Sequence, residues 1–324
     1  MKILTINHHE AYLSSLAKTG HEFYVITRYG DLDLSWGPSS PPVPSNVTLI
    51  EFNDELRAKI KSGFYDLLIC HTIKNLLWFF PYRGIHCIFV AHITLKYATL
   101  GDIVRSLAKR LIYILFSLTH KTRFVSISRL KYDSWFIHGE IIHLTPGQLP
   151  APDQGKGYDR VIVVGNRIKT RGRESGYDMI EQIMRTLPLT IIGNNPDIDS
   201  AIKPKNRAEF VEAFRSGRIF LYTTRFPYND GYNTAMLEAM RMGMAIVTVE
   251  NPSSPIVHNQ NGLVGKDSGE LTNHLRYLLM NPKLVDELGQ KARETIHQQF
   301  SEEAFIDNWN QVIESVMKQH LFRP

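Results

Sequence analysis

The sequence predicts an α/β protein made of two open parallel-sheet domains, and three observations predict it. Strand-like and helix-like apolar patterns alternate from the first residues, as they do in the units that build parallel sheets. A Pro- and Gly-dense stretch, 146–157 (PGQLPAPDQGKG), interrupts the alternation near the middle of the chain, and the pattern restarts after it. The length of 324 residues, 43% of them hydrophobic, suffices for two domains of about 150 residues each. The organisation to expect is a first domain over 1–150, a second over 151–300 and a closing helix over 301–324.

In the first half, Lys2 to Ile6 reads as a strand, Glu10 to Lys18 as a short helix and Glu22 to Thr27 as a second strand. No G-x-G-x-x-G follows the first strand; Asn7, His8, His9 and Glu10 stand there, as a polar lining for an acceptor or as a solvated turn. Residues 29–46 are rich in Gly, Pro and Ser and predict a long surface loop. Strands recur at Val47 to Phe52, Asp66 to His71, Ile85 to Ala91 and Arg123 to Ile127. Two of these runs lead into histidine, His71 and His92, and ligands of open α/β sheets bind outside the strands' carboxyl ends. Taken singly, each histidine also fits a hydrogen-bonded strand terminus.

After the linker, Arg160 to Val164 is a strand leading into Gly165-Asn166-Arg167-Ile168-Lys169-Thr170-Arg171-Gly172-Arg173, with four cations in seven residues before a helix at about Gly176 to Thr186. Such a loop fits neutralisation of a diphosphate, since guanidinium offers a planar fork to its oxygens. Leu189 to Ile192 is a strand turning at Gly193-Asn194, and Asn206 with Glu209 is a capping-box arrangement. The most informative stretch is 219–249: a strand (Ile219 to Thr223), a loop with Pro227 and Asp230, a helix from about Asn233 stopped by Gly243, and a strand, Ala245 to Val249. Amides of Gly231, Tyr232, Asn233 and Thr234 at that helix start suit an anion or a sugar oxygen. Glu238 lies inside the helix among apolar residues, where a carboxylate needs a hydrogen-bond partner such as a diol. Helical patterns fill Gly269 to Met280, Pro282 to Gln299 and Ser301 to Lys318.

Composition narrows the classes. Cys70 and Cys87, the two cysteines, sit in apolar runs and fit neither a disulfide framework nor a zinc site, which points to a reducing cytoplasm. No apolar run reaches the roughly 20 residues of a spanning helix, and no signal peptide is read at the start. The net charge of +5 is modest and partly clustered, with Arg105, Lys109, Arg110, Lys121 and Arg123 flanking the apolar 111–118. A core helix with solvated ends is the favoured reading; a basic amphipathic helix on the inner face of an anionic membrane is the other. Nucleic acid is disfavoured, because no aromatic residues interleave the cations. Asp31 and Asp33, like Asp197 and Asp199, form D-x-D pairs that read as solvated loop acids, so no metal is inferred.

Thr224, Arg225, Asp230, Gly231, Tyr232, Glu238, Ala239, Met240 and Gly243 occur in the order of a known signature: Ser-Arg-x-Glu-Gly-Phe-Gly, four residues, then Glu-Ala-Met-Ala-x-Gly. The chain thereby resembles the retaining glycosyltransferases of the GT-B fold, in particular glycosyltransferase family 4 (group 1). Two residues depart from the pattern: Asp230 replaces the first Glu, and Asn233 replaces the second Gly. The resemblance implies two Rossmann-like domains facing across a cleft, the first for the acceptor and the second for a UDP- or GDP-sugar, with no metal or other cofactor. It implies catalytic roles for Asp230, Glu238 and His92, and donor-binding roles for Arg167, Lys169 or Arg171 (Arg173 competing), Gly193, Gly231, Tyr232, Asn233 and Thr234. Ser126 and Ser128 look like the family's serine-bearing strand. The implied reaction moves a sugar to an acceptor hydroxyl, in polysaccharide or glycolipid assembly. A non-catalytic sugar-nucleotide-binding protein and an epimerase on the same fold are the alternatives.

Overall fold

A computed structural model describes residues 1–153 and 155–318. The chain divides into two compact units, one formed by Met1–Leu144 together with the segment from Glu302, the other by Thr145–Ser301. In chain order the first unit has β1 (Lys2–Ile6), α1 (Glu10–Ala17), β2 (Glu22–Tyr29), β3 (Leu32–Asp33), β4 (Val47–Phe52), α2 (Asp54–Lys61), β5 (Leu67–Cys70), α3 (Ile73–Phe79), β6 (His86–Ala91), α4 (Leu100–Thr119), β7 (Thr122–Ser126), α5 (Arg129–Trp135) and β8 (Glu140–Ile141). The second has β9 (Val161–Val164), α6 (Tyr177–Met184), β10 (Leu189–Ile192), α7 (Arg207–Arg215), β11 (Ile219–Tyr222), α8 (Thr234–Met242), β12 (Ala245–Val249), β13 (Leu263–Gly265), α9 (Ser268–Leu279) and α10 (Pro282–Gln299), after which α11 (Glu302–Lys318) rejoins the first.

The first sheet runs β3-β2-β1-β5-β6-β7-β8 with β4 also paired to β2, and only the β2–β3 pair is antiparallel. Its central strands β1, β5 and β6 are buried on both faces, so side chains of alternating parity enter two cores. Ile3, Leu67, Ile69, Ile88 and Val90 face α1 and α11, whereas Leu4, Leu68, Cys70, Cys87 and Phe89 face the other way. Cys70 and Cys87 are thus buried free thiols. The second sheet, β10-β9-β11-β12-β13, is parallel throughout.

Helices begin where the sequence supplies a capping side chain: Asn53, Thr72, Ser128, Asn206, Asn233 and Asp267 each accept a backbone N–H of the first turn. At α7 the acidic partner Glu209 reaches one residue farther back than in a standard capping box, taking the N–H of Lys205 at 2.8 Å. The 29–46 loop contains the two-residue strand β3, too short for alternation to reveal it.

The favoured reading of the 111–118 segment is overturned. α4 buries Ser106, Tyr113 and Phe116, but its opposite face exposes Leu100 (78%), Val104, Leu107, Leu111 (55%), Leu115 and Leu118 (76%). The period of about 3.6 places only one stripe of this helix inward, so the apolar stripe opposite stays bare. No helix among the described residues is long and apolar enough to cross a membrane.

α11 contributes Phe305, Trp309, Val312, Ile313 and Val316 to the core that α1 covers, and Lys18 pairs with Glu302 at its start. Trp309 is fully buried with Tyr12 and Phe305 against its ring. Trp309→Ala is expected to cost about 3–5 kcal/mol, read in urea denaturation as an earlier transition of the first unit.

Candidate functional site

In the second unit β9 lies between β10 and β11, so the connections leaving β9 and β11 diverge at the carboxyl edge of the sheet. That divergence is the switch point at which open α/β sheets bind ligands. The loop after β9 carries Arg167, Lys169, Arg171 and Arg173, all exposed, and the loop after β11 carries Asp230. Arg167 holds a left-handed backbone (φ 51°) and donates its N–H to Asn194 O at 3.0 Å. Gly193, beside it at the end of β10, has φ 133°, and a Cβ there would collide with the Gly165 carbonyl and lie 2.8 Å from Asn166 Oδ1. Glycine at 193 therefore lets two strand ends cross closely.

The 223–231 loop is closed by its own ends. Tyr222 Oη and Thr224 Oγ1 donate to the Asp230 carbonyl at 3.3 and 3.0 Å, and Asn251 Nδ2 donates to Asn229 O at 3.1 Å. Arg225 is tied at 2.7 Å to Asp178 in the first turn of α6. The Tyr222 phenol is pushed up by burial first and by the Asp230 charge, while Arg171 opposes the shift. Both charges thus act on one buried ring. Lys169 instead approaches the ring of Tyr177, 5.9 Å from its centre.

At the start of α8 the amides do not all face outward. Gly231 N–H donates to Ser253 Oγ at 2.8 Å, and Asn233, as N-cap, takes the Met236 N–H at 2.8 Å on its own Oδ1. Asn233, where the signature has glycine, is a residue that caps this helix. Tyr232 is buried against Phe300, and α8 ends at Gly243 in the left-handed conformation (φ 79°).

Glu238 is buried (4% exposed), and the loss of hydration raises its pKa to about 7, opposed by the charge of Arg207 and by the Gly147 N–H that donates to it. Gly147 approaches so closely that a Cβ would stand 2.6 Å from Glu238 Oε1. Sequence reasoning missed both partners. Arg207 opens α7 and Gly147 lies in the stretch before β9, and no local spacing links either to Glu238.

In the first unit β1 lies between β2 and β5, and the residues after β1, β5 and β6 meet at the carboxyl edge. His71 Nδ1 lies 3.0 Å from His92 Nε2, and the His8 ring stacks on His71 (5.8 Å, 10°) and tilts against His92 (5.0 Å). Tyr12 meets both His71 and His92 edge-on. Crowding by protein lowers all these imidazoles, with His8 at about 4 and His71 and His92 well below the ordinary value. His9, in the same turn, caps α1 through Nδ1. The acids of the first D-x-D pair stay at the surface, with Asp33 accepting the Ser35 N–H at 2.9 Å; in the second pair Asp197 accepts the Thr170 hydroxyl at 3.1 Å.

A family model described as glycosyl transferase-like matches residues 173–311, a span that contains Gly193, Asp230 and Glu238 but not the Arg167–Arg171 loop. No curated protein matches the chain. Among solved structures the chain is similar to sucrose-phosphate synthase from Thermosynechococcus elongatus, with 12% identity, a TM-score of 0.73 and coverage of 98% of this chain and 100% of that one. It is similar to Anabaena HepE in complex with UDP-glucose at 13% identity and a TM-score of 0.72, covering 97% and 100%. It is also similar to the lipopolysaccharide outer core galactosyltransferase WaaB at 17% identity and a TM-score of 0.59, covering 97% and 99%. The architecture, two parallel-sheet α/β domains, is that of the GT-B fold.

Glu238 binds its proton more tightly in the folded than in the unfolded chain, so the ligand-free protein loses stability as pH rises from about 4.5 to about 7. Glu238→Gln is expected to be more stable than wild type at pH 8, by up to about 3 kcal/mol, and equal to it near pH 4.5; urea denaturation at the two pH values checks this.

Proposed function

We propose that the chain is a retaining glycosyltransferase that moves a sugar from a nucleotide-sugar donor to an acceptor hydroxyl. The observation that carries the reading is Glu238, a buried carboxylate on α8, the helix that follows the Asp230 loop. The match of 173–311 to a glycosyl transferase-like family supports it. In this reading Glu238 accepts the ribose hydroxyls, Asp230 with the Tyr232, Asn233 and Thr234 backbone orients the sugar, and Gly193 gives room for the nucleotide. Arg167 with Arg171 or Lys169 stabilises the charge that develops on the departing diphosphate. The anomeric C–O bond to phosphate breaks as the acceptor oxygen bonds to the same face, and the acceptor's proton goes to the leaving phosphate oxygen. Positioning and charge stabilisation then supply most of the rate, and no metal is assigned a part. His92 in the first unit accepts a ligand hydroxyl, and that unit binds a glycan or lipid-linked acceptor. UDP-sugars are the first donors to test, because HepE was solved with UDP-glucose; GDP-sugars are the second.

The bare face of α4 supports a peripheral contact with an anionic lipid surface on the cytoplasmic side, where a lipid-linked acceptor would reside. On α4 Arg110 flanks this face and Arg105 is paired to Asp102 at 2.9 Å, whereas Lys109 falls on the packed stripe with Tyr113, its ammonium lowered by burial and then by Arg105 and Lys96 beside it. Acidic headgroups complement the excess of cations over acids on this helix. Flotation with vesicles containing phosphatidylglycerol should carry the wild type but not Leu111→Glu/Leu118→Glu. Concentration-dependent dimerisation without flotation would contradict this contact.

A thermal-shift screen of UDP- and GDP-sugars should return a stabilising donor, since a ligand contributes RT ln(1 + [L]/Kd). Glu238→Ala should weaken that donor by about 1.5–3 kcal/mol, a ten- to hundredfold loss, as measured by calorimetry. Donor binding without turnover across a broad acceptor panel would favour a non-catalytic binding protein, and conversion of the donor sugar itself an epimerase.

A further inference from the structure

Thr5, His71 and His92 share one parity with Ile3, Ile69 and Val90, so all three project on the face covered by α1 and α11. Thr5 Oγ1 lies 2.9 Å from the Ile69 carbonyl and 3.0 Å from His71 Nε2. A hydroxyl has one proton, and a carbonyl only accepts. The Thr5 proton therefore goes to Ile69 O, since the opposite choice would set two lone pairs 2.9 Å apart, and Thr5 accepts from His71 Nε2–H. His71 is buried (3% exposed) and neutral, so its Nδ1 carries no proton and accepts from His92 Nε2–H, 3.0 Å away. His92 is neutral as well, because burial and then the neighbouring His71, His8, His9 and Lys131 all oppose its protonation. Its single proton being on Nε2, its Nδ1 is a lone pair. That nitrogen has no hydrogen-bond partner among the described residues, and His92 is only part-buried at the carboxyl edge of the first sheet.

We propose that Thr5 and His71 are positioning residues that fix the tautomer of His92, so that His92 Nδ1 is a permanent hydrogen-bond acceptor for a hydroxyl of a bound ligand. The identity of that hydroxyl, on the donor sugar or on the acceptor, rests on the glycosyl-transfer reading; the tautomer does not. The direction of the chain excludes His92 as a donor to a ligand carbonyl or phosphate oxygen. It selects for ligands that present O–H groups, and a ligand deoxygenated at the contacted position leaves the nitrogen unpaired. Thr5, in mid-strand, thus reads through two imidazoles to a ligand it does not touch.

Long-range 15N–1H correlation spectra of the ligand-free protein labelled with 15N-histidine test the chain without any substrate. The wild type is expected to show His92 protonated at Nε2 and bare at Nδ1, unchanged from pH 8 to pH 6. Thr5→Val, which removes the acceptor for His71, is expected to give a mixture of tautomers at His92, and Thr5→Ser, which keeps the hydroxyl, to restore the wild-type pattern. Titration of UDP-glucose and of UDP against the same variants locates the hydroxyl. A loss of at least fivefold for UDP-glucose alone in Thr5→Val, rescued in Thr5→Ser, places it on the donor sugar; a rise confined to the acceptor KM places it on the acceptor. A wild-type His92 protonated at Nδ1, a His92 that titrates near pH 6.5, or a Thr5→Val spectrum identical to wild type overturns the proposal, whether or not the protein transfers a sugar.

Discussion

Parallel strand pairing is the constraint from which the rest of each unit follows. Strands that run the same way leave all their carboxyl ends on one edge, and a first strand placed internally sends its neighbours' connections apart there. In the second unit this puts a cationic loop and an acidic loop side by side, and in the first it collects three imidazoles that are distant in sequence. Neither grouping depends on residues close along the chain. Each depends on β9 and β1 having partners on both sides.

Both edges hold ionisable groups in surroundings that disfavour their charge. Glu238 is shielded from water yet faces Arg207 and a backbone N–H, so its proton is held with intermediate tightness. The imidazoles of the first unit are held neutral more firmly, because burial removes their hydration and the nearby rings would be charged with the same sign. Such groups are costly to leave without partners and gain when a ligand supplies hydroxyls. The second unit is therefore penalised by rising pH and the first by falling pH.

The sequence made most of the fold legible, since β4, β10, β12 and α10 fall where period and punctuation put them. Strands of two or three residues (β3, β8 and β13) escaped, because alternation needs more residues than they have. The acid pair and the cationic loop were readable as motifs, and His71 and His92 by their positions after strands. Thr5, Arg207, Gly147 and Ser253 were not, since their relevance arises only through contacts made across the sheet or between loops. α4 misled because an apolar segment of its length fits a buried helix as well as a half-covered one.

The α11 helix has a consequence for how the chain comes to be folded. The core between α1 and the first sheet needs Trp309 and Phe305, which are separated from it in sequence by the whole of the second unit. During synthesis the first unit cannot finish before the second has emerged, so the usual order of N-terminal domain first is reversed for this core. Until then Tyr12 and Leu16 stay open to water, and prior folding of the second unit shortens the loop that α11 must close. Maturation of the earliest-made part of the molecule thus waits on its last helix.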